Sequence, residues 1–363
     1  MHAIGVSQYG PPDNLQSREI PRPSTPTGRQ MRIETKAVSV NPIDIKVRGG
    51  TYDDPPDYYE RVRGLTKGEE PNFHVMGYDG AGVVREVGPD VRHFKVGDEV
   101  YYLGNPVLQG SYAEEQLVDE RHMGHKPRSL DFVQAAAMPL TYATAYEGLV
   151  DRLGIQPGRE GRHYHHQRRR RHGRHRVADR TARPEAARRH HDGVAARDRV
   201  LLARRRRCHP CRQPSRRHRA ADPRAGPARR HALKYAFITS RTEQYLRPIA
   251  DLLAPFGRMC SIVQARFDMY GTQCMSKSLT FSWCWLATGA YHGYVNDQEE
   301  KHREWYEKLA SLLDDGTIKC HLTQRKRLTL ENIREAHKQT EAGKGIGKTA
   351  LGVDEPGDHP VFQ

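Results

Sequence analysis

Residues 163–175 read HYHHQRRRRHGRH, and how they are read decides the fold. They open a window from Arg159 to Ala232 with 25 Arg, no Lys, six acids and 10 of the chain's 20 His. The window has no Ile, Phe, Trp, Met or Asn, and one Tyr. No packed core can be assembled from that alphabet, because too little apolar surface is available to offset the entropy of ordering. The window carries +19 of formal charge, so against a total of +15 the rest of the chain stands at −4. The excess charge is therefore local. At face value the tract is an arm for a polyanion such as nucleic acid.

The flanks are ordinary. At 363 residues the chain has room for two domains. Its six cysteines, Cys208, Cys211, Cys260, Cys274, Cys284 and Cys320, are too few and too irregularly spaced for a disulfide framework, which points to a reducing, cytoplasmic setting. The N-terminus MHAIGVSQYG lacks the basic and apolar regions of a secretory signal, and no apolar run approaches the 18 residues of a membrane span.

Upstream of Ser129 the chain alternates short β-rich runs with Gly and Pro. Met31–Val40 alternates apolar and polar, Val83–Gly88 is a second strand, and Phe94–Tyr101 is a turn entering a third. Such density suggests a small barrel. From Ser129, expected as an N-cap, an Ala-rich stretch broken by Pro139 reads as one or two helices. Beyond the window, strand 233–239, helix 245–253 and strand 257–263 alternate as in a parallel α/β sheet. Helices over 300–313 and 330–341 and a strand over 348–353 close the chain.

Linked motifs run through both flanks. They are Ala37–Asp44 (AVSVNPID), Gly77–Val84 (GYDGAGVV), Val96–Tyr102 (VGDEVYY), Gly110–Glu114 (GSYAE), Gly124–Pro127 (GHKP), Ala135–Thr141 (AAAMPLT), Leu253–Arg258 (LAPFGR) and Gly343–Lys348 (GKGIGK). In this order they resemble the medium-chain dehydrogenase/reductases, on the quinone-reductase (zeta-crystallin-like) side and nearest the zinc-type alcohol dehydrogenase-like proteins. The resemblance covers roughly 1–158 and 233–353. It implies an α/β protein with a GroES-like β-barrel domain (1–128 and 300–353), a Rossmann-like doubly wound parallel sheet (129–299) and a tail (354–363). It also implies a cytoplasmic NADPH-dependent reductase of small quinones or enones, as a possible homodimer.

The same resemblance places Asn41 and Asp44 beside the nicotinamide and Tyr52 at the acceptor pocket, where its hydroxyl could meet a developing oxyanion. Asp44 and Tyr52 are thus the catalytic candidates. Thr141, Ser240 and Lys348 join Asn41 as candidates for holding the cofactor. Ser240 follows a strand at its carboxyl end, where open α/β sheets bind ligands. No metal is expected. Asn41-Pro42 stands where the family's zinc enzymes have a Cys, Tyr78-Asp79 stands where they have His-Glu, and their four-Cys lobe is missing. Cys208-His209-Pro210-Cys211 lacks a second ligand pair. His74 and His125 are more simply local hydrogen-bonding groups than relays. Trp283, Cys284 and Trp285 read as packing, and 298–304 as a solvated helix start.

Across 159–232 the family needs a strand, a glycine-rich turn and a helix that cradle the pyrophosphate. Reading CGN arginine codons one base later converts them to Gly, Ala, Asp or Val codons when the next base is C. His163–Gln167 then becomes four Ile/Thr residues and an Asn or Ser. Arg168–Gly173 can become Gly-Ala-Gly-Gly-Met-Gly, and His191–Asp198 can become Thr-Thr-Ala-Ser-Arg-Pro-Glu-Thr. The window is therefore read as the family's segment in a shifted frame. The cofactor domain is expected to be disrupted there, and NADPH binding by the chain as written to be poor. The alternatives are a polyanion-binding protein and a zinc-dependent alcohol dehydrogenase.

Overall fold

The computed structural model describes residues 1–65, 73–156, 163–166, 233–293, 300–343 and 346–363. The expected disruption across 159–232, the shifted glycine cluster and Cys208–Cys211 lie outside these residues, except that His163–His166 form a strand.

In chain order the elements begin with β1 (His2–Val6), β2 (Leu15–Glu19), β3 (Gln30–Ser39), α1 (Pro42–Arg48), α2 (Tyr58–Leu65), β4 (His74–Val75) and β5 (Asp79–Val87). Next come β6 (Glu99–Leu103), β7 (Glu115–Asp119), β8 (Met123–His125), α3 (Phe132–Ala136) and α4 (Pro139–Tyr146). They continue as β9 (His163–His166), β10 (Leu233–Ile238), α5 (Thr242–Leu252), β11 (Leu253–Ser261), β12 (Thr280–Trp283) and α6 (Thr288–His292). The chain closes with α7 (Lys301–Asp314), β13 (Leu322–Arg327), α8 (Leu330–Glu341) and β14 (Lys348–Gly352).

Two compact units result. The first takes in Met1–Glu147 and Trp285–Gln363, and the second runs between Gly148 and Cys284. The contact boundaries fall at Glu147/Gly148 and Cys284/Trp285, whereas the motifs place them near Ser129 and Glu300. Helices α3 and α4 pack with the barrel because Val133, Ala135, Ala136, Met138 and Ala143 belong to its core.

The first unit has a β2-β1-β4 sheet and a larger sheet ordered β13-β14-β3-β5-β6-β8, with β7 also paired to β3. β3 carries the alternation seen in the sequence. Met31 and Ile33 are buried, while Glu34 bonds Lys36 and Arg85 on the other face. The expected helix cap Ser129 gives way to Asp131, whose carboxylate accepts from Gln134 N–H at 2.8 Å in a reciprocal capping box. Ser129 N–H instead donates to Asp314.

The second unit is a parallel sheet in the order β12-β11-β10-β9. Residues 163–166 pair with 235–238 in register. Four consecutive backbone positions suffice for this ladder with β10. Thr242 Oγ1 bonds Ser261 Oγ at 2.7 Å and fastens α5 to the end of β11.

Candidate active site

β14, β3 and β5 of the first unit lie side by side, with Ala350 opposite Ser39 and Ser39 opposite Asp79. Val40 N–H continues the ladder to Thr349 O at 3.1 Å, which brings Lys348 level with Asn41.

Asp79 is fully buried and has a donor on every side. Its Oδ2 accepts from Ser39 Oγ at 2.7 Å and Asn41 Nδ2 at 2.9 Å, and it pairs with Lys348 Nζ at 3.1 Å. Its Oδ1 accepts from Leu140 N–H at 2.8 Å. That donor lies in the first turn of α4, where the helix dipole favours an anion. Lys348 Nζ also donates to Asn41 Oδ1, so the Asn41 amide is held at both ends. A buried ion pair is tolerable when its remaining hydrogen-bonding capacity is filled in this way.

Asp44 closes the cluster from α1. Asn41 caps that helix, followed by Pro42 at the first helical position, and Asn41 N–H donates to Asp44 Oδ2 at 2.6 Å. The other oxygen, Oδ1, is buried with no hydrogen-bond partner. Burial, with Asp79 adding to it, pushes the Asp44 carboxyl up to about 8, against the pull of Asn41 N–H, Lys348 and Tyr112. At neutral pH Asp44 therefore keeps its proton while Asp79 faces the ammonium. His321, behind Lys348, is held down to about 4 by burial and the Lys348 charge, so its ring is neutral.

Tyr52 stands off from this cluster. It is half-buried, with its ring edge-on to Tyr58 at 5.0 Å and its backbone N–H on Tyr59 Oη at 2.9 Å. Tyr58 Oη in turn bonds Tyr78 Oη. Burial raises the Tyr52 hydroxyl well beyond the ordinary phenol range, while the Trp285 side chain opposes that rise, so it stays an O–H donor. Asn41, Asp44 and Lys348 are thus brought together, while Tyr52 packs on Tyr58, which bonds Tyr78. Thr141 is exposed on α4, beside the Leu140 whose N–H binds Asp79. Ser240 belongs to the second unit, two residues past β10, and its Oγ is buried without a partner.

His74 is buried and bonds Tyr9 Oη at 3.2 Å, and His125 bonds Glu307 at 2.8 Å, so both serve local contacts. Asp79 and Tyr112 carry weight that the sequence reading missed. Asp79 was visible only as a departure from a zinc ligand. The signal was an acid opening an apolar strand, a position tolerable only with several donors. Among the described residues, no three or more His, Cys, Asp or Glu side chains are grouped to hold a metal. No helix among them is long and apolar enough to cross a membrane.

The alcohol dehydrogenase GroES-like domain family matches residues 27–128 and the zinc-binding dehydrogenase family matches 218–351. The chain belongs to the medium-chain dehydrogenase/reductase superfamily. The superfamily is one of oxidoreductases that bind a nicotinamide cofactor. The two family matches leave 129–217 between them.

Among superfamily relatives, a zinc-type alcohol dehydrogenase-like protein from Staphylococcus epidermidis is 36% identical over 137 residues, covering 38% of this chain and 35% of that one. A quinone oxidoreductase from Pseudomonas aeruginosa is 36% identical over 137 residues, covering 38% and 37%. These alignments span about a third of each relative's length. A solved Rhizobium etli CFN 42 structure, provisionally named a zinc-dependent alcohol dehydrogenase, is 29% identical, with a TM-score of 0.70 over 98% of this chain and 99% of that one.

Proposed function

We propose that the chain is a zinc-independent, NADPH-type reductase of quinones or activated enones, impaired as written by the 159–232 window. The Asp79–Lys348–Asn41 cluster carries this reading. A catalytic zinc needs three thiolate, imidazole or carboxylate ligands and an open position. Here the carboxylate is already taken by four donors, one of them an ammonium. The residues do not fit a zinc ion.

They fit a nicotinamide nucleotide better. Ser240 Oγ and Asp44 Oδ1 are buried polar atoms without partners, each in its own unit, and Ser240 lies at the carboxyl end of a parallel strand. Asn41, Thr141 and Lys348 in the first unit, and by itself Ser240 in the second, are the candidates for contacting the cofactor, which when bound supplies a hydride. The chain's own part is to orient and to manage protons. Asp79 fixes Asn41 and Lys348 in one geometry, so no reorganisation is needed as charge develops. Asp44 retains a proton at neutral pH that a reduced acceptor's oxygen can take up. Tyr52, held as O–H, would donate to the acceptor oxygen. The name of the Pseudomonas aeruginosa relative supports a quinone acceptor.

The impairment rests on the shifted-frame reading, and the unmatched stretch 129–217 contains the turn that would cradle pyrophosphate. A homodimer, a cytoplasmic setting and the domain limits 1–128 with 300–353 and 129–299 complete the proposal. The test is thermal unfolding with and without NADPH. The chain as written should not shift. A version with the bases across codons 159–232 read one position later should gain about 2.7 kcal/mol at 100 times its Kd, and should reduce quinone. Stabilisation of the unaltered chain by NADPH would overturn the impairment. Stoichiometric zinc in the purified protein would overturn the zinc-free reading.

A further inference from the structure

The last turn of α1 carries a second set of bonds, at the opposite end of that helix from Asp44. Its final four carbonyls are all taken. Ile45 O accepts from Gly49 N–H at 2.9 Å, and Arg48 O from Gly10 N–H at 2.8 Å. Val47 O accepts from Gly50 N–H at 3.1 Å, and Lys46 O from Thr51 N–H at 3.0 Å. This tight turn puts Gly50 at φ +69, where a Cβ would stand 3.1 Å from the Tyr9 Cβ. Tyr59, in the first turn of α2, reaches back to the same carbonyls. Its hydroxyl lies 3.3 Å from both Lys46 O and Val47 O, and it accepts from Tyr52 N–H at 2.9 Å. The Tyr59 ring packs against Tyr9 at 4.5 Å and edge-on to Tyr58 at 5.1 Å. Tyr58, which also meets the Tyr52 ring, is itself held by a bond to Pro106 O at 3.1 Å.

We propose that Tyr59 is a positioning residue of the candidate site, whose hydroxyl fastens the Tyr52 backbone to the last turn of the helix that carries Asp44 in its first turn, so that the two proton-handling groups share one mount. The inference rests on Tyr52 being the acceptor-contacting residue of the proposed reductase.

The groups themselves allow one arrangement of protons. A peptide N–H only donates and a carbonyl only accepts, while a phenol hydroxyl has one proton and two lone pairs. The Tyr59 proton therefore goes to the α1 carbonyls, shared between Lys46 and Val47, and a lone pair takes the Tyr52 N–H. The hydroxyl keeps that proton, because burial pushes it up to about 12, against the pull of the Tyr52 N–H. The bond matters because little else holds this stretch of backbone. Thr51, Asp53 and Asp54, on either side of Tyr52, are exposed. The length of α1 then sets the spacing of the two groups, since seven residues rising about 1.5 Å each separate its ends by roughly 10 Å. Tyr59 acts on an acceptor only through Tyr52.

The test uses the full chain without cofactor. In the unaltered protein the Tyr52 amide should be protected from deuterium exchange about tenfold more than the amide of exposed Asp53. Tyr59→Phe keeps the ring contacts, removes the hydroxyl and should abolish that difference. The site is then probed with tetramethyl-para-benzoquinone, whose fully substituted ring cannot add to thiols. Tyr52→Phe and Tyr59→Phe should each weaken its binding about fivefold. The double variant should lose no more than Tyr52→Phe alone, because Tyr59 works through the Tyr52 phenol, whereas a packing role would make the two losses multiply. An unprotected Tyr52 amide, or losses that multiply, overturns the proposal and leaves Tyr52 as the acceptor contact. A quinone that does not bind, or that binds as well to Tyr52→Phe, overturns the acceptor role and the proposal with it. If Tyr59→Phe does not fold, protection of the Tyr52 amide in the unaltered chain decides.

Discussion

In the first unit Asp79, Asn41, Lys348, Asp44, Arg48 and His337 are all buried, and Asp79 alone draws four donors. In the second unit Thr242 and Ser261 are buried and bond each other, and Ser240 Oγ is buried without a partner. The second unit instead puts Leu252, Phe256, Met269, Tyr270, Met275 and Trp283 on its surface, with Met275 93% exposed. One region buries charge at a cost and, around Asp79, offsets it with hydrogen bonds. The other is an apolar parallel sheet whose surface retains large hydrophobic side chains. Buried charge on this scale is worth keeping only where it does chemistry. On the proposed function, the contrast separates a unit that would carry the reactive groups from one that would contribute ligand contacts at strand ends.

The sharpest way to break that contrast is Asp79→Ala. It leaves Lys348, Asn41, Ser39 and Leu140 N–H without their shared acceptor, and should cost about 3–5 kcal/mol. The near-UV transition of the tyrosine-rich first unit in urea measures it. A cost below about 1 kcal/mol would mean that the cluster is not the structural hub argued above. Acid comes next. His74 and His321 are held down to about 4, and His122 and His337 to about 3, all by burial first. The unfolded chain takes up these protons near 6.5 while the folded one does not, so stability falls as pH drops from 6.5 toward 4. Each ring should lose about 2 kcal/mol between pH 7 and 5. Asp44, which holds its proton across that range only in the folded state, partly offsets this. The net loss should be several kcal/mol, read from urea midpoints of the same first-unit transition. A flat profile would show that these rings are not buried neutral. The smallest effect tests the second unit. Phe256 is 77% exposed with φ +61, a backbone region that Asn adopts more readily. Phe256→Asn should change stability by less than about 0.5 kcal/mol, and upward. A clear loss would show that this surface is covered by something.

Much of the architecture was legible before any coordinates. The alternation of Met31 to Val40 became β3, the run 233–239 became β10, and the helix over 330–341 is α8 to the residue. These segments announce themselves because a buried face imposes its period on the chain. Short elements were harder to see. β4 has two residues and β13 is largely exposed, so neither shows an apolar period, and α1 is seven residues of mixed character. The first unit's claim on α3 and α4 was also hidden, because an Ala-rich face suits either neighbour.

Asn41, Asp44 and Lys348 could be singled out one by one, from motifs 41–44 and 343–348. That they meet depends on register. β14 pairs antiparallel with β3, so a lysine 307 positions away in sequence reaches Asn41. The same pairing exposes the role of Asp79, and the packing of α8 on α1 brings His337 toward Arg48. The sequence by itself determined the kinds of chemistry on offer, a carboxyl near an amide, a lysine, tyrosines, and a window with no core-forming residues, because residue type sets donors, charge and burial cost. Only the tertiary structure decided which groups share a low-dielectric interior, and hence that Asp44 keeps its proton while Asp79 holds an ammonium. Those outcomes depend on distance and desolvation, which sequence order does not encode.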